Sequence, residues 1–148
     1  MFNVKQLMQT KGSSSIFSVS PADTVFRALQ VMADKNVGAV LVLTDGSLEG
    51  IFTERDYCRK IILMGRSSLN TQVQEIMTKK MITVEPGQTL EECMSLMSQH
   101  HIRHLPVLDQ GKLVGLLSIG DVVKAIITAK QDAINDLEGY IMGRYITN

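Results

Sequence analysis

The residues best suited to chemistry in this chain occur twice. Gly50-Ile51-Phe52-Thr53-Glu54-Arg55-Asp56 is matched by Gly115-Leu116-Leu117-Ser118-Ile119-Gly120-Asp121, each ending a strand and opening a helix. Such a junction offers unpaired amides and the positive end of a helix dipole, so it suits an anion, with a hydroxyl beside it. A carboxylate one turn on can accept hydrogen bonds from both hydroxyls of a ribose. The same Ser/Thr-x-x-acid spacing is also that of an ordinary helix cap. Gly50 and Gly115, just before each hydroxyl, leave room for a ligand or a neighbouring backbone.

Other reactive side chains carry less. His100, His101 and His104 span a helix end and a strand with no nearby Cys, which argues against a metal site. His104 is expected to contact a phosphate or to pack, and His100 and His101 to favour a helix C-terminus. No paired carboxylates, nucleophile with base, or phosphate-cradling Gly-rich loop stands out, so no catalytic residue is assigned. Cys58 and Cys93 form no CxxC pair and align with Val123 and Ala28, which reads as buried, inert thiols.

The elements that must position the two junctions follow from a repeat. Displaced by 65 positions, residues 19–62 align without a gap on residues 84–127, with Pro21/Pro86, Thr24/Thr89, Met32/Met97, Gly46/Gly111, Gly50/Gly115 and Asp56/Asp121 identical. Punctuation and core positions therefore recur, and one architecture is used twice. In each copy a short strand (residues 17–19 and 82–84) stops at proline. A helix follows, with Thr89 and Glu92 spaced as a capping box and Leu90, Cys93, Met94 and Met97 on one apolar face. Val25, Ala28, Leu29 and Met32 repeat that face. The apolar runs 39–43 and 105–108 read as strands buried on both sides. Asp45-Gly46 and Gln110-Gly111 turn the chain into antiparallel partners at 48–52 and 113–117.

The fold class expected is α/β, a pseudo-twofold pair of βαββα repeats whose apolar sheet faces are buried together. The divisions are a lead-in (residues 1–16), a first repeat (17–66), a linker (67–80), a second repeat (81–128) and a terminal amphipathic helix (129–148). That helix places Ile134, Leu137 and Ile141 near one face, to cap its own core or to pack on a second chain. Residues 12–15 read as a flexible loop. At 148 residues and 45% hydrophobic content the chain suffices for one compact unit. Fifteen basic against fifteen acidic residues give no net field to capture nucleic acid or an anionic membrane. No secretory leader pattern and no apolar run of membrane-spanning length is present, so the location expected is cytoplasmic.

The two Pro-x-x-Thr helix starts, Val-Gly-Ala-Val-Leu-Val at 37–42, Ile-Arg-His-Leu-Pro-Val at 102–107 and the two Gly-x-x-Thr/Ser-x-x-Asp junctions together resemble the cystathionine-β-synthase (CBS) domain family, whose domains occur in tandem pairs (Bateman modules). The resemblance spans nearly the whole chain. It implies clefts between the copies that bind AMP, ADP or ATP, and sometimes NAD. It assigns Thr53 with Asp56, and Ser118 with Asp121, to hydroxyl and ribose contacts. Val37, Gly38 and Ala39, and Ile102, Arg103, His104 and Pro106, match strand segments flanking base or phosphates, and Ser18 and Thr83 match first-strand positions lining the cleft. It further implies a homodimer; with no effector domain read in the sequence, whatever the module regulates is expected to be a separate protein or subunit. Arg103 and His104 align with Gly38 and Ala39, and Arg55 with Gly120, so one phosphate-competent cleft and one weaker, more apolar cleft are expected.

Overall fold

The computed structural model describes residues 2–11 and 16–146. The loop expected at 12–15 lies outside them. The first repeat runs β1 (Ser18–Val19), α2 (Val25–Lys35), β2 (Ala39–Thr44), β3 (Ser47–Thr53) and a short α3 (Glu54–Asp56) that widens at once into a π-helical turn, Tyr57–Ile62. The second runs α5 (Leu90–His100), β4 (His104–Asp109), β5 (Lys112–Ser118) and α6 (Ile119–Ile146), with α1 (Val4–Lys11) ahead of the first repeat and α4 (Val73–Ile76) between them. β1 lies parallel to β2, and β2 antiparallel to β3. β4 and β5 repeat the hairpin, with Leu41 opposite Ile51 in one and Pro106 opposite Leu116 in the other. Both hairpins turn on residues of positive φ, Asp45-Gly46 and Gln110-Gly111, as a tight turn between right-twisted strands requires.

Several expectations are corrected. The strand expected at 82–84 is reduced to one parallel bridge, Val84 with Val107. Thr89 Oγ1 accepts from the Glu92 amide at 3.1 Å, but the Glu92 carboxylate accepts from Gln88 Nε2 instead of completing a capping box. The helix after Ser118 and the expected terminal helix are one 28-residue element, about 42 Å long at helical rise. Its distal half does not cap its own core: Ile134, Leu137 and Ile141 are exposed.

The stretches read as lead-in and linker carry core. Val4 and Leu7 of α1 pack with Val84, Leu90 and Leu105 of the second repeat, whereas Val73 and Ile76 of α4 pack with Val25, Val40 and Phe52 of the first. The docking is the same in both places. Val4 N donates to Gln88 O and Lys5 N to Pro86 O; Val73 N donates to Asp23 O and Gln74 N to Pro21 O. Asn3-Val4-Lys5-Gln6-Leu7-Met8 thus corresponds to Gln72-Val73-Gln74-Glu75-Ile76-Met77, each segment serving the repeat that it does not immediately precede. In α4 the Gln72 amide, and then Arg66, hold the Glu75 carboxyl below the usual carboxylate range. A third cluster, Ala39, Leu41, Ile51 and Leu116, lies between the sheets and joins the repeats.

Candidate functional site

Both junctions form reciprocal caps. Thr53 N donates to Asp56 Oδ2 at 3.0 Å while Asp56 N donates to Thr53 Oγ1 at 3.1 Å. Ser118 N donates to Asp121 Oδ2 at 2.9 Å while Asp121 N donates to Ser118 Oγ at 3.1 Å. The capping reading is therefore realised in full, and any ligand role is added to it. Gly50 and Gly115 make room for protein: a Cβ on Gly50 would lie 2.8 Å from Met77 Sδ and 2.9 Å from Thr78 O, and one on Gly115 would strike the tip of Met8. These glycines admit the α1 and α4 segments.

A cavity of about 400 Å³ opens between the repeats at the first junction, within the size range of small-molecule sites. Gly38, Thr53, Arg55 and Asp56 line it from the first repeat, facing Ile102, Arg103, His104 and Pro106 from the second. Ile51, Glu54, Thr78, Lys80, Met81 and Ile82 complete the wall. The lining thus combines apolar side chains with the carboxylates of Glu54 and buried Asp56 and with the exposed cations Arg55, Lys80 and Arg103. Gly38 leaves the approach open: a Cβ there would come to 3.0 Å from the flexible end of Glu54 at Oε1 and to ordinary contact, 3.6 Å, with His104 Cε1.

Asp56 is 7% exposed and well supplied with donors. Besides Thr53, it accepts on Oδ1 from Thr78 Oγ1 at 3.1 Å and pairs with Lys60 Nζ at 3.0 Å. Arg55 donates to the carbonyl of His101, the left-handed residue that ends α5, so it ties the two repeats across the cavity. His100 and His101 sit at that helix end, and His104 opens β4.

The remaining expected contacts lie elsewhere. Ser18 is exposed on β1 opposite Leu41, Val37 packs into the first core, and Ala39 is buried between the sheets opposite Thr53. Thr83 is half-buried beside Val84, while Ser118 ends β5 as the cap of α6 and Gly120 and Asp121 lie in the first turn of that helix. None of these lines the 400 Å³ cavity. Thr78 and Lys80 are cavity residues that sequence reasoning missed. Their signal was the α1/α4 correspondence, hidden because that match is displaced by four residues from the main repeat.

The family model described as CBS domain matches residues 4–63 and 73–128. The chain belongs to the CBS-domain family. It is 42% identical over 150 residues to the mitochondrial CBS domain-containing protein CBSX3 of Arabidopsis thaliana, covering 96% of this chain and 73% of that one. The solved CBS domain structure NE2398 is 50% identical with a TM-score of 0.79, covering 84% of this chain and 97% of that one. CBSX2, solved in complex with AMP, is 26% identical with a TM-score of 0.71 over 88% of this chain and 99% of that one. As a CBS pair, the chain has the α/β repeat architecture of these relatives, and the two matched segments begin at Val4 and Val73, the first residues of α1 and α4. Among the described residues no helix is long and apolar enough to cross a membrane.

Proposed function

We propose that this CBS pair is a binding and regulatory module for an adenine nucleotide, not an enzyme, and that the cavity at Asp56 is its principal site. The observation that carries the reading is the convergence of Thr53 and Asp56 with Arg103 and His104 of the other repeat on one cavity. A buried carboxylate among apolar side chains suits a ribose and a base, and exposed guanidinium groups in the same lining suit phosphate. The AMP complex of CBSX2 supports the same ligand class, with AMP, ADP and ATP as first candidates and NAD as a further one. Ser118 and Asp121, with Ser18, Val37, Ala39, Thr83 and Gly120 nearby in the repeat pattern, form the weaker second site. The module acts in the cytoplasm as a homodimer and reports nucleotide state to a separate protein by a shift in conformation.

Calorimetric titration of AMP tests this. Arg103→Ala removes a charge-assisted contact and is expected to weaken binding about tenfold or more, with Asp56→Asn also weakening it and Asp121→Asn having a smaller effect. Equal losses at the two aspartates would sink the unequal-site reading. A melting temperature unmoved by AMP, ADP, ATP or NAD, where any ligand of the folded state must raise it, would leave an assembly module with empty clefts.

A further inference from the structure

The distal part of α6 carries a stripe of apolar side chains that its own chain leaves uncovered. Val123 is 38% exposed, Ile127 62%, Ile134 50%, Leu137 61% and Ile141 44%. With Lys130 they fill successive steps of four and three residues from 123 to 141, the a/d spacing of a coiled-coil seam. Every residue from 130 to 142 is exposed, and a helix of that length standing alone in water is marginal. We propose that this seam pairs with α6 of a second copy of the chain, antiparallel, so that the two CBS bodies sit at opposite ends of a two-helix rod. The inference rests on the homodimer reading for its stoichiometry and adds the face and the orientation.

Charge decides the occupant and the direction. A parallel pair would stack Lys130 on Lys130 inside the seam and leave Lys124 and Glu138 without an opposite charge across it. In the antiparallel register Val123 faces the partner's Ile141, Ile127 faces the partner's Leu137, and Lys130 faces the partner's Ile134, so every seam position is used. Lys130 then lays its stem over an apolar neighbour and keeps its ammonium at the wet edge. The same register sets Lys124 against the partner's Glu138, twice by symmetry. The stripe is thus complementary to itself reversed.

The test uses the full chain in sedimentation equilibrium. Wild type is expected to be a dimer at micromolar concentration, and the double variant Ile134→Glu/Leu137→Glu a monomer with an unchanged circular dichroism spectrum. Lys124→Glu or Glu138→Lys alone should weaken the dimer about tenfold, and the two together should restore it, as paired flanking charges do in coiled coils. A spin label at Met142→Cys, in a Cys58→Ser background, should report about 30 Å between protomers, twenty residues of helical rise. A distance near about 10 Å, the spacing of packed parallel helices, would overturn the orientation. A dimer that survives the α6 variant but is lost in Leu63→Glu, on the exposed turn of the first repeat, would overturn this inference and leave the homodimer standing. A wild type that stays monomeric at high micromolar concentration would overturn both.

Discussion

At Thr53–Asp56 and at Ser118–Asp121 the same exchange of two hydrogen bonds opens a helix, with distances that agree within 0.1 Å. Beyond the cap the two junctions part. Asp56 also receives Thr78 Oγ1 and Lys60 Nζ, and it looks onto the cavity that Arg103 and His104 close. Position 125, which aligns with Lys60, is alanine, and Gly120 stands where the first repeat has Arg55. The helices diverge as well: after Asp56 the chain runs through a π-helical turn and ends at Ile62, while after Asp121 it continues to Ile146. A cap is a local device, set by four residues, and so it repeats with the sequence. The environment of its carboxylate is also set by residues beyond the cap, and these are not repeated in sequence: Lys60 aligns with Ala125 and Arg55 with Gly120.

The largest expected effect that tests this contrast is at the two glycines. In Gly50→Ala the new methyl would meet the backbone carbonyl of Thr78 at 2.9 Å as well as the body of Met77, so β3 and the segment carrying Thr78 must separate. Overpacking of this kind costs about 2–3 kcal/mol. Gly115→Ala meets only the far end of Met8, a flexible side chain that can move aside, and should cost less than about 1 kcal/mol. Urea unfolding of both variants checks the order. Equal losses would mean that Met8 is held as rigidly as the Thr78 backbone, and the two junctions would then be equivalent in packing.

A smaller effect is expected where the carboxylates differ. Lys60 Nζ bridges Asp56, Thr78 Oγ1 and the carbonyl of Ile76, so it pins the first junction to α4. Lys60→Ala should lower stability by about 1 kcal/mol, because a half-exposed ion pair and a hydrogen bond are lost while Thr53 and Thr78 still serve Asp56. Ala125→Lys, at the aligned place in α6, should change stability by less than about 0.5 kcal/mol. A stabilisation from Ala125→Lys as large as the loss from Lys60→Ala would show that a lysine at 125 reaches Asp121 as Lys60 reaches Asp56, and the contrast would fail.

Much of the architecture was legible because its determinants are short-range. The hairpins follow from Asp45-Gly46 and Gln110-Gly111, α2 and α5 from the four-and-three spacing around Val25 and Leu90, and the caps from Thr53 and Ser118. The CBS resemblance added the facing of Arg103 and His104 to Asp56, which no local pattern contains. What stayed hidden depends on tertiary docking. α4 is a single turn inside a polar stretch, helical because Val73 and Ile76 are buried, and its match to α1 falls out of register with the main repeat. Thr78 and Lys80 enter the cavity only as a consequence of that docking. Likewise 82–84 has strand composition but gains one bridge, since only Val84 finds a partner in β4.

The two cysteines give the finest test, because alignment alone made them alike. Cys93 is buried in the second core, and burial, aided by the charge of Glu92, pushes its thiol up to about 11. Cys58 is exposed on the π-helical turn, so its expected burial is corrected: the position aligned with it, Val123, is itself 38% exposed on α6. At pH 8 an aromatic disulfide reagent should therefore modify Cys58 rapidly, with a melting temperature unchanged by the modification. Cys93 should react only as fast as the second repeat opens, since a thiol held protonated until pH nears 11 is no nucleophile in the folded chain. Denaturant should accelerate the slow phase and leave the fast one alone. If both thiols reacted in a single fast phase, the helix carrying Cys93 would be loosely held, and the second repeat would be the softer half of the pair.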